Sequence, residues 1–557
     1  MSGLPPRAGR LAAGVAGAAA AIAVLTLLSR VVGFGRWLVF SGTVGSSCVG
    51  SAYASANLVP NVLFEVVAGG ALAASVVPVL SAAIVRGDRA AASRTASALL
   101  TWTVLVLTPV TLLVVALAGP ITSVLLRADQ CPGQGASAAR MLVAFAPQIV
   151  LYGVGIVLTG VLQAHRRFIG PALAPLASSV VVIGVYLLFA ATTHRPTGPA
   201  SAAWLPDRGG ELLLALGTTA GVVVLSLPLL VPAHRAGVRL RPTLRFDPGV
   251  ASHARRLAAA GLAGLLAQQL LVLVTVRLSN GSGGAGALNV YQYVQAVYLL
   301  PYAVLAVPLA TAAFPTLSGQ VAAGDGAAYA GTLTRSMRVV VLVAVAGAAV
   351  LVASAPAVGQ LFAVLDAGGA ALSALPSALT AFAPGLVGFA LIAHLGRALF
   401  AAGRATYAAR VTVAGWLVAV VASLALVPVL AGTGERAATR TLLALGLASS
   451  LGMTVAGVLL LVGAARTQVA GTPVAPALAG SLPVLARVLL VAATGAVAGR
   501  LTTDRVTLDG VGGALVSGVL GSAVTAAVLG VGLWVTDRDD LRGLLRPGRT
   551  AGQVTGG

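Results

Sequence analysis

The sequence predicts an all-α polytopic membrane protein of about fourteen transmembrane helices: two six-helix lobes around a central cavity, with two more helices on the C-terminal side. Three observations predict it: a composition outside the soluble range, apolar blocks of membrane-spanning length between short Arg-bearing connections, and a self-match of the chain at a constant offset of 237 residues.

Of the 557 residues, 58% are hydrophobic and 9% charged, and the mean hydropathy is +0.98. Soluble domains carry about 25% charged residues. No polar stretch between apolar blocks exceeds about 25 residues, which excludes a large cytosolic catalytic domain, extended disorder and a secreted disulfide scaffold. The apolar spans lie near 12–40, 48–84, 97–119, 140–162, 170–192, 211–233, 256–276, 287–318, 338–354, 376–401, 408–430, 441–463, 483–499 and 511–535. Each is long enough, at 1.5 Å per residue, to cross a hydrocarbon core of about 30 Å as a helix. The first begins after Arg7 and Arg10 and runs past the length of a secretory signal core, so it reads as a membrane helix rather than a cleaved signal.

All 35 basic residues are Arg and the net charge is +21. In a soluble protein that excess suggests nucleic acid, but its distribution here says otherwise. With the N-terminus in the cytoplasm, 23 Arg fall on inner segments, 9 on outer ones and 3 within spans, giving net charges of +17, +2 and +2. That is a positive-inside pattern, so no nucleic-acid partner is expected. The domains read as a cytoplasmic tail at 1–11, an N-lobe at 12–233, a basic cytoplasmic linker at 234–255, a C-lobe at 256–463, two accessory spans within 464–535 and a cytoplasmic tail at 536–557. Cys48 and Cys131 both fall toward the outer face, where two isolated buried thiols are expected rather than a disulfide.

The repeat is carried by PVLSAAIVRGD from Pro78 against PTLSGQVAAGD from Pro315, by AFAP at 144–147 against 381–384, and by Leu162 and Arg167 against Leu399 and Arg404. An offset spanning six helices preserves direction through the membrane. The lobes are therefore expected to be parallel repeats about an axis along the membrane normal, with substrate near the midplane. The last two spans lie outside the repeat, and their Gly and Ala content suits close helix packing.

The five His have no metal-ligand spacing, and there is no HExxH, P-loop or paired CxxC. Neither an enzyme nor a metal or organic cofactor is expected. Any driving force comes from the membrane potential or from an ion or substrate gradient. What stands out is charge in the spans: Arg30 and Arg36 in SRVVGFGR, Glu65 in NLVPNVLFEVV, and Arg397 with His394 in the tenth span. A charge at a span centre costs at least about 2.5–3.5 kcal/mol and commonly marks a polar cavity. Two readings of Arg30 and Glu65 stay open, cavity lining and a structural ion pair. Arg36 and Arg397 can instead snorkel to an interface. A pair of arginines facing a cavity suits a phosphorylated anion, because the guanidinium fork matches phosphate geometry. On the eighth span Asn289, Gln292 and Gln295 form an i, i+3, i+6 stripe, for which helix-to-helix hydrogen bonding is the expected use.

The passages TLLSRVVGFGRWLVFSGTVG and ANLVPNVLFEVVAGGALAASVVPVLS resemble the signature region of the MurJ/MviN lipid II flippases. The resemblance extends as architecture over about 12–535 and implies a flippase that carries lipid II, or another polyprenyl-pyrophosphate-linked saccharide, from the inner to the outer leaflet by alternating access. It implies pyrophosphate-binding roles for Arg30 and Arg36; from the residues themselves Asn61 and Glu65 are further substrate-binding candidates, with Asn289, Gln292, Gln295 and Arg397 as secondary ones. It also implies a groove for the lipid tail on the two added helices, a bacterial plasma-membrane location with both termini cytoplasmic, and contacts with membrane lipids and with wall-synthesis or division proteins. Trp37, Ser51, Phe64 or Glu65, Ala296 and Leu299 stand where other members carry charged groups. Half of the family's cationic cluster is therefore missing, which leaves open either relocated arginines (Arg397 or Arg277) or a diverged paralogue with another lipid-linked substrate. The absence of Lys fits a gene of high GC content, of actinobacterial type. Two rivals are a non-transporting scaffold for wall-synthesis proteins and a cation-coupled drug exporter, for which Glu65 is the one candidate carboxylate in the spans.

Overall fold

A computed structural model describes residues 6–66, 76, 80, 84, 88–126, 131–196, 200–245, 250–506 and 508–536, with the side chains of 6–23, 250–261 and 435 left aside. Most of the second expected span beyond Val66, much of the repeat segment from Pro78, residues 1–5 of the expected N-terminal tail and residues 537–557 lie outside these residues, and 6–11 of that tail already belong to the first helix.

The first half of the chain forms α1 (Pro6–Thr43), α2 (Cys48–Glu65), α3 (Arg89–Ala116), α4 (Ala118–Leu125), α5 (Gln134–Phe145), α6 (Gln148–Ala164), α7 (Ile169–Thr192), α8 (Ala200–Ala203), α9 (Arg208–Ser226), α10 (Leu230–Arg235) and α11 (Val250–Ser282). The second half forms α12 (Ala287–Pro301), α13 (Val307–Ala322), α14 (Gly326–Leu365), α15 (Leu375–Phe382), α16 (Gly385–Ala401), α17 (Ala405–Leu430) and α18 (Ala437–Ala465). A two-strand hairpin, β1 (Gln468–Val469) with β2 (Thr472–Pro473), then leads to α19 (Ala475–Ala479), α20 (Leu482–Arg505) and α21 (Gly510–Thr536). Among the described residues twelve helical segments are long and apolar enough to cross a membrane, and α15 with α16, bent by 48°, makes a thirteenth. Helix α2 stands in the place of the remaining expected span. The all-α polytopic expectation holds. The ninth span is longer than its apolar block: α14 runs 40 residues, because the Ala-rich sequence on both sides of 338–354 keeps helical propensity past the hydrocarbon edge.

The repeat is structural as well as sequential. Asp88 caps α3 by accepting from the Ala91 amide at 2.8 Å, and Asp325 caps α14 by accepting from the Ala328 amide at 2.9 Å, 237 residues on. Both AFAP motifs interrupt a helix at Ala-Pro, between α5 and α6 and between α15 and α16, and their Phe145 and Phe382 are fully buried. Pro removes an amide donor, so each break falls where the ladder is already weakened. At the far ends, Arg167 N donates to Leu162 O and Arg404 N to Leu399 O, each at 2.8 Å. That bond needs a left-handed residue just before it. Gly403 supplies one at φ 76°, whereas at the matching place Arg166 adopts φ 57°, at a steric cost glycine avoids.

By internal contact the chain divides into unit 1, Met1–Asn289 with Asp366–Ala371, and unit 2, Val290–Leu365 with Leu372–Gly557. The expected basic linker at 234–255 separates the two sequence repeats, but the division by contact falls later, at Asn289. The seventh span is held in unit 1: Asn280 Nδ2 donates to Ser55 Oγ and to the Leu125 carbonyl, both at 2.9 Å. Val276 and Leu288 also pack with Ala54 and Leu125. In unit 2 a core runs along α14 (Leu333, Met337, Val341) and α16 (Leu395, Leu399) to Leu460 of α18 and Ala492 of α20. Helices α20 and α21 meet through small residues. Thr525 Oγ1 donates to the Gly495 carbonyl at 3.1 Å, and a Cβ at Gly499 would strike the Gly521 carbonyl.

One expectation is overturned. Cys48 and Cys131 form a disulfide across a Cα separation of 6.2 Å. They start α2 and lead into α5, and Gln134 Nε2 donates to the Cys48 carbonyl at 2.8 Å. The helix packing brings the two sulfurs together, which a sequence separation of 83 residues conceals.

Candidate functional site

In unit 1 the intramembrane charges sit on α1 and α2. Arg30 is exposed on a face with Leu27, Leu28 and Val31, all also exposed, and forms no ion pair with Glu65 among the described residues. Gly33 and Gly35 have open space beside them, so nothing packs tightly on this stretch of α1. Arg36 is half-buried, with its guanidinium carbon 5.9 Å from the Trp37 ring centroid, and it lies within electrostatic reach of Tyr53, Tyr152 and Tyr186. Six residues of helix turn about 600°, which sets Arg30 and Arg36 about 120° apart. Their different environments follow from that spacing.

Asn61 and Glu65 lie one turn apart on α2, just after Pro60, whose missing amide frees a carbonyl in the ladder. Asn61 Nδ2 donates to the Asn57 carbonyl at 2.8 Å, and Asn61 Oδ1 accepts from Tyr152 Oη at 3.1 Å. The Tyr152 ring packs on Phe64 at 4.4 Å. Glu65 is exposed and acts electrostatically on Tyr152. Tyr152 of α6 is thus the centre around which Arg36, Asn61 and Glu65 gather. Arg30 does not join them.

One turn beyond Arg36 the unit is sealed by rings. Phe40 packs on Tyr53 and Tyr186 at 5.5 and 5.3 Å, and Tyr53 on Phe145 at 5.5 Å. Tyr53 Oη shares hydrogen bonds with Tyr186 Oη at 2.9 Å and Thr218 Oγ1 at 2.8 Å. Past the rings, where α1 ends and α2 begins, several connections are knotted together. The Asp366 carboxylate accepts from Ser41 Oγ, from Ser46 N and Oγ, and from the Gly368 and Gly369 amides, at 2.8–3.0 Å. A Cβ at Gly45, which has φ 72°, would collide with the Gly368 amide, so only glycine admits this approach. Arg195 Nη1 donates to the Val44 carbonyl at 2.7 Å. Ser51 receives the Gly286 amide at 3.0 Å and donates to Asn289 Oδ1 at 3.2 Å. Asn289 therefore serves helix-to-helix bonding.

The other secondary candidates are in unit 2. Gln292 is half-buried, and Gln295 Nε2 donates to Tyr291 Oη at 2.9 Å. Arg397 Nη1 donates to the Ala393 carbonyl of its own helix at 2.6 Å, and the buried His394 meets Ser336 Oγ through Nε2 at 3.0 Å. Arg277 is exposed on α11. No group of three or more His, Cys, Asp or Glu among the described residues could hold a metal ion.

Sequence reasoning missed Tyr152, the aromatic seal and Asp366. The run DAGG at 366–369 is a legible turn signal, but nothing local points to Ser41 and Ser46, more than 300 residues away.

Duplicated helical sets with matching caps, and arginines retained within apolar spans, define a polytopic membrane transporter fold. Solved structures agree. A lipid II flippase MurJ in an inward closed conformation has a TM-score of 0.70 at 16% identity, covering 94% of this chain and 99% of that one. An inward-facing multidrug transporter of the MATE family has a TM-score of 0.62 at 16% identity, covering 77% and 92%. The family described as lipid II flippase MurJ matches residues 40–519, and the chain belongs to it. The match begins after Arg30 and Arg36. Curated relatives include a probable lipid II flippase MurJ of Synechocystis sp., 33% identical over 257 residues, and a lipid II flippase MurJ of Burkholderia cenocepacia, 28% identical over 383 residues. The alignments cover 43% and 68% of this chain, and 44% and 71% of those relatives.

Proposed function

We propose that this protein moves lipid II from the inner to the outer leaflet of the bacterial plasma membrane by alternating access, with Arg30 and Arg36 holding the pyrophosphate. Family membership supports the substrate class. The observation that carries the role of the arginines is that Arg30 is exposed in a membrane span and forms no ion pair among the described residues, between three and four turns of helix ahead of a closed, extensively bonded end. A guanidinium kept at such a cost is suited to a ligand that brings its own negative charge. Asn61 and Tyr152 offer further hydrogen bonds beside Arg36, while the polyprenyl tail stays in lipid. We place the termini in the cytoplasm. The Arg asymmetry supports this, and so does the Cys48–Cys131 disulfide, which the orientation puts on the oxidising side. The driving force is the membrane potential or an ion gradient.

The test is lipid II exposure in cells depleted of their own flippase and supplied with this protein, read by an added enzyme that cleaves only outward-facing lipid II. Wild type restores cleavage, and Arg30→Ala, inserted to the same level, does not. Normal cleavage with Arg30→Ala removes Arg30 from the mechanism. No cleavage with well-inserted wild type overturns lipid II as the substrate and favours another lipid-linked saccharide or a scaffold.

A further inference from the structure

After α10 the chain does not cross to α11 as a free linker. Residues 238–245, VRLRPTLR, run extended along α3 and are bonded to it in register. The Arg239 amide donates to Ser93 Oγ at 3.3 Å, the Arg241 amide to Ser97 Oγ at 3.0 Å, and the Thr243 amide to Thr101 Oγ1 at 3.2 Å. Trp102 Nε1 closes the ladder on the Leu244 carbonyl at 3.0 Å. The match is geometric. Hydroxyls four residues apart on a helix are about 6 Å apart, and amides two residues apart on an extended chain are about 6.6 Å apart. Val238 is buried and Leu240 packs on the core of the unit. The ladder thus fixes the strap while leaving Arg239, Arg241 and Arg245 exposed, none in an ion pair among the described residues.

Beneath the strap lies a cavity of about 500 Å³. Its walls are Leu100, Val104 and Leu105 of α3, Leu230 of α10 and Leu240 of the strap, and Arg241 stands at its rim. Leu105 and Leu244 are more than half exposed, so the cavity opens on an apolar surface of a membrane-spanning helix. Cationic heads fixed beside an apolar groove complement one kind of molecule, an anionic headgroup joined to hydrocarbon chains.

We propose that the strap and α3 form a binding site for one anionic diacyl phospholipid, with its phosphate on Arg239, Arg241 and Arg245 and an acyl chain in the groove. The site lies apart from Arg30 and Arg36 and does not depend on the flippase reading. Trp102 is a built-in reporter. The full-length protein is reconstituted in phosphatidylcholine vesicles containing either chain-brominated phosphatidylglycerol or chain-brominated phosphatidylcholine, and quenching of Trp102 is taken as the difference between wild type and Trp102→Phe. Brominated phosphatidylglycerol should quench Trp102 at much lower mole fraction than brominated phosphatidylcholine. The triple variant Arg239→Gln, Arg241→Gln, Arg245→Gln should weaken that preference on the order of 100-fold, at roughly fivefold per arginine. Because these side chains are exposed, the triple variant should fold, and Arg241→Lys alone should keep most of the preference. Equal quenching by the two lipids, or a preference unchanged in the triple variant, overturns the proposal.

Discussion

The end of unit 1 where α1 meets α2 and the level of Arg36 are about 10 Å apart along α1, yet they are built on opposite terms. At the end, Asp366 accepts from five donors, Arg195 is tied to a backbone carbonyl, and Cys48 is covalently joined to Cys131. At the Arg36 level Glu65 is exposed and the buried Asn57 Oδ1 has no partner, and Arg30, about 9 Å further along α1, is exposed as well. Polar groups inside a span are costly unless bonded. The first region offsets most of that cost within the chain, with Asn289 Nδ2 left bare, and the second leaves more bonding capacity for something outside it. The first should govern stability and the second transport.

The largest effect that could break this contrast is on the disulfide. A loop of 83 residues corresponds to about 4–5 kcal/mol of chain entropy, an upper bound where the membrane already restrains the unfolded chain. Cys48→Ser should lower the thermal unfolding midpoint of the purified protein by several degrees, as should a reductant on wild type, with lipid II exposure in cells retained. A variant that unfolds like wild type but no longer transports would reverse the roles assigned to the two regions.

Next comes Asp366→Ala. It removes the common acceptor of two hydroxyls and three amides, of which Ser46 is fully buried, and each donor left bare costs about 1–3 kcal/mol. After relaxation a loss of about 3 kcal/mol is expected. Its local sign is faster amide hydrogen exchange in 41–48 and 366–371, with exchange around Asn61 and Tyr152 unchanged. Exchange that rises evenly over unit 1 would mean that the closed end is not a separate element.

How much of this was legible depends on range. The spans and the repeat could be read because they rest on local signals, apolar length and matching motifs at one offset, whereas the capping roles of Asp88 and Asp325 within those motifs emerge from the structure. Arg30, Arg36 and Glu65 stood out because charge in an apolar run is conspicuous. The Cys48–Cys131 pairing, the Asp366 knot and the Ser93–Ser97–Thr101 ladder were hidden, since each joins segments that only packing brings together. Tyr152 was hidden for another reason. A tyrosine in a span is an ordinary apolar residue until its hydroxyl is found on Asn61.

The smallest effect sharpens the contrast most. Tyr152→Phe keeps the ring on Phe64 and deletes only the hydroxyl that donates to Asn61 Oδ1. One neutral hydrogen bond is worth about 1 kcal/mol, so stability should shift little and lipid II exposure should slow by about fivefold. Arg36→Ala removes a charged partner worth about 1.5–3 kcal/mol, which corresponds to roughly tenfold to a hundredfold. If Arg36, Asn61 and Tyr152 act on one ligand as a unit, the double variant should lose less than the product of the two single losses. Losses that multiply would mean that the hydroxyl only positions Asn61 within α2, and the polar level would then reduce to its arginines.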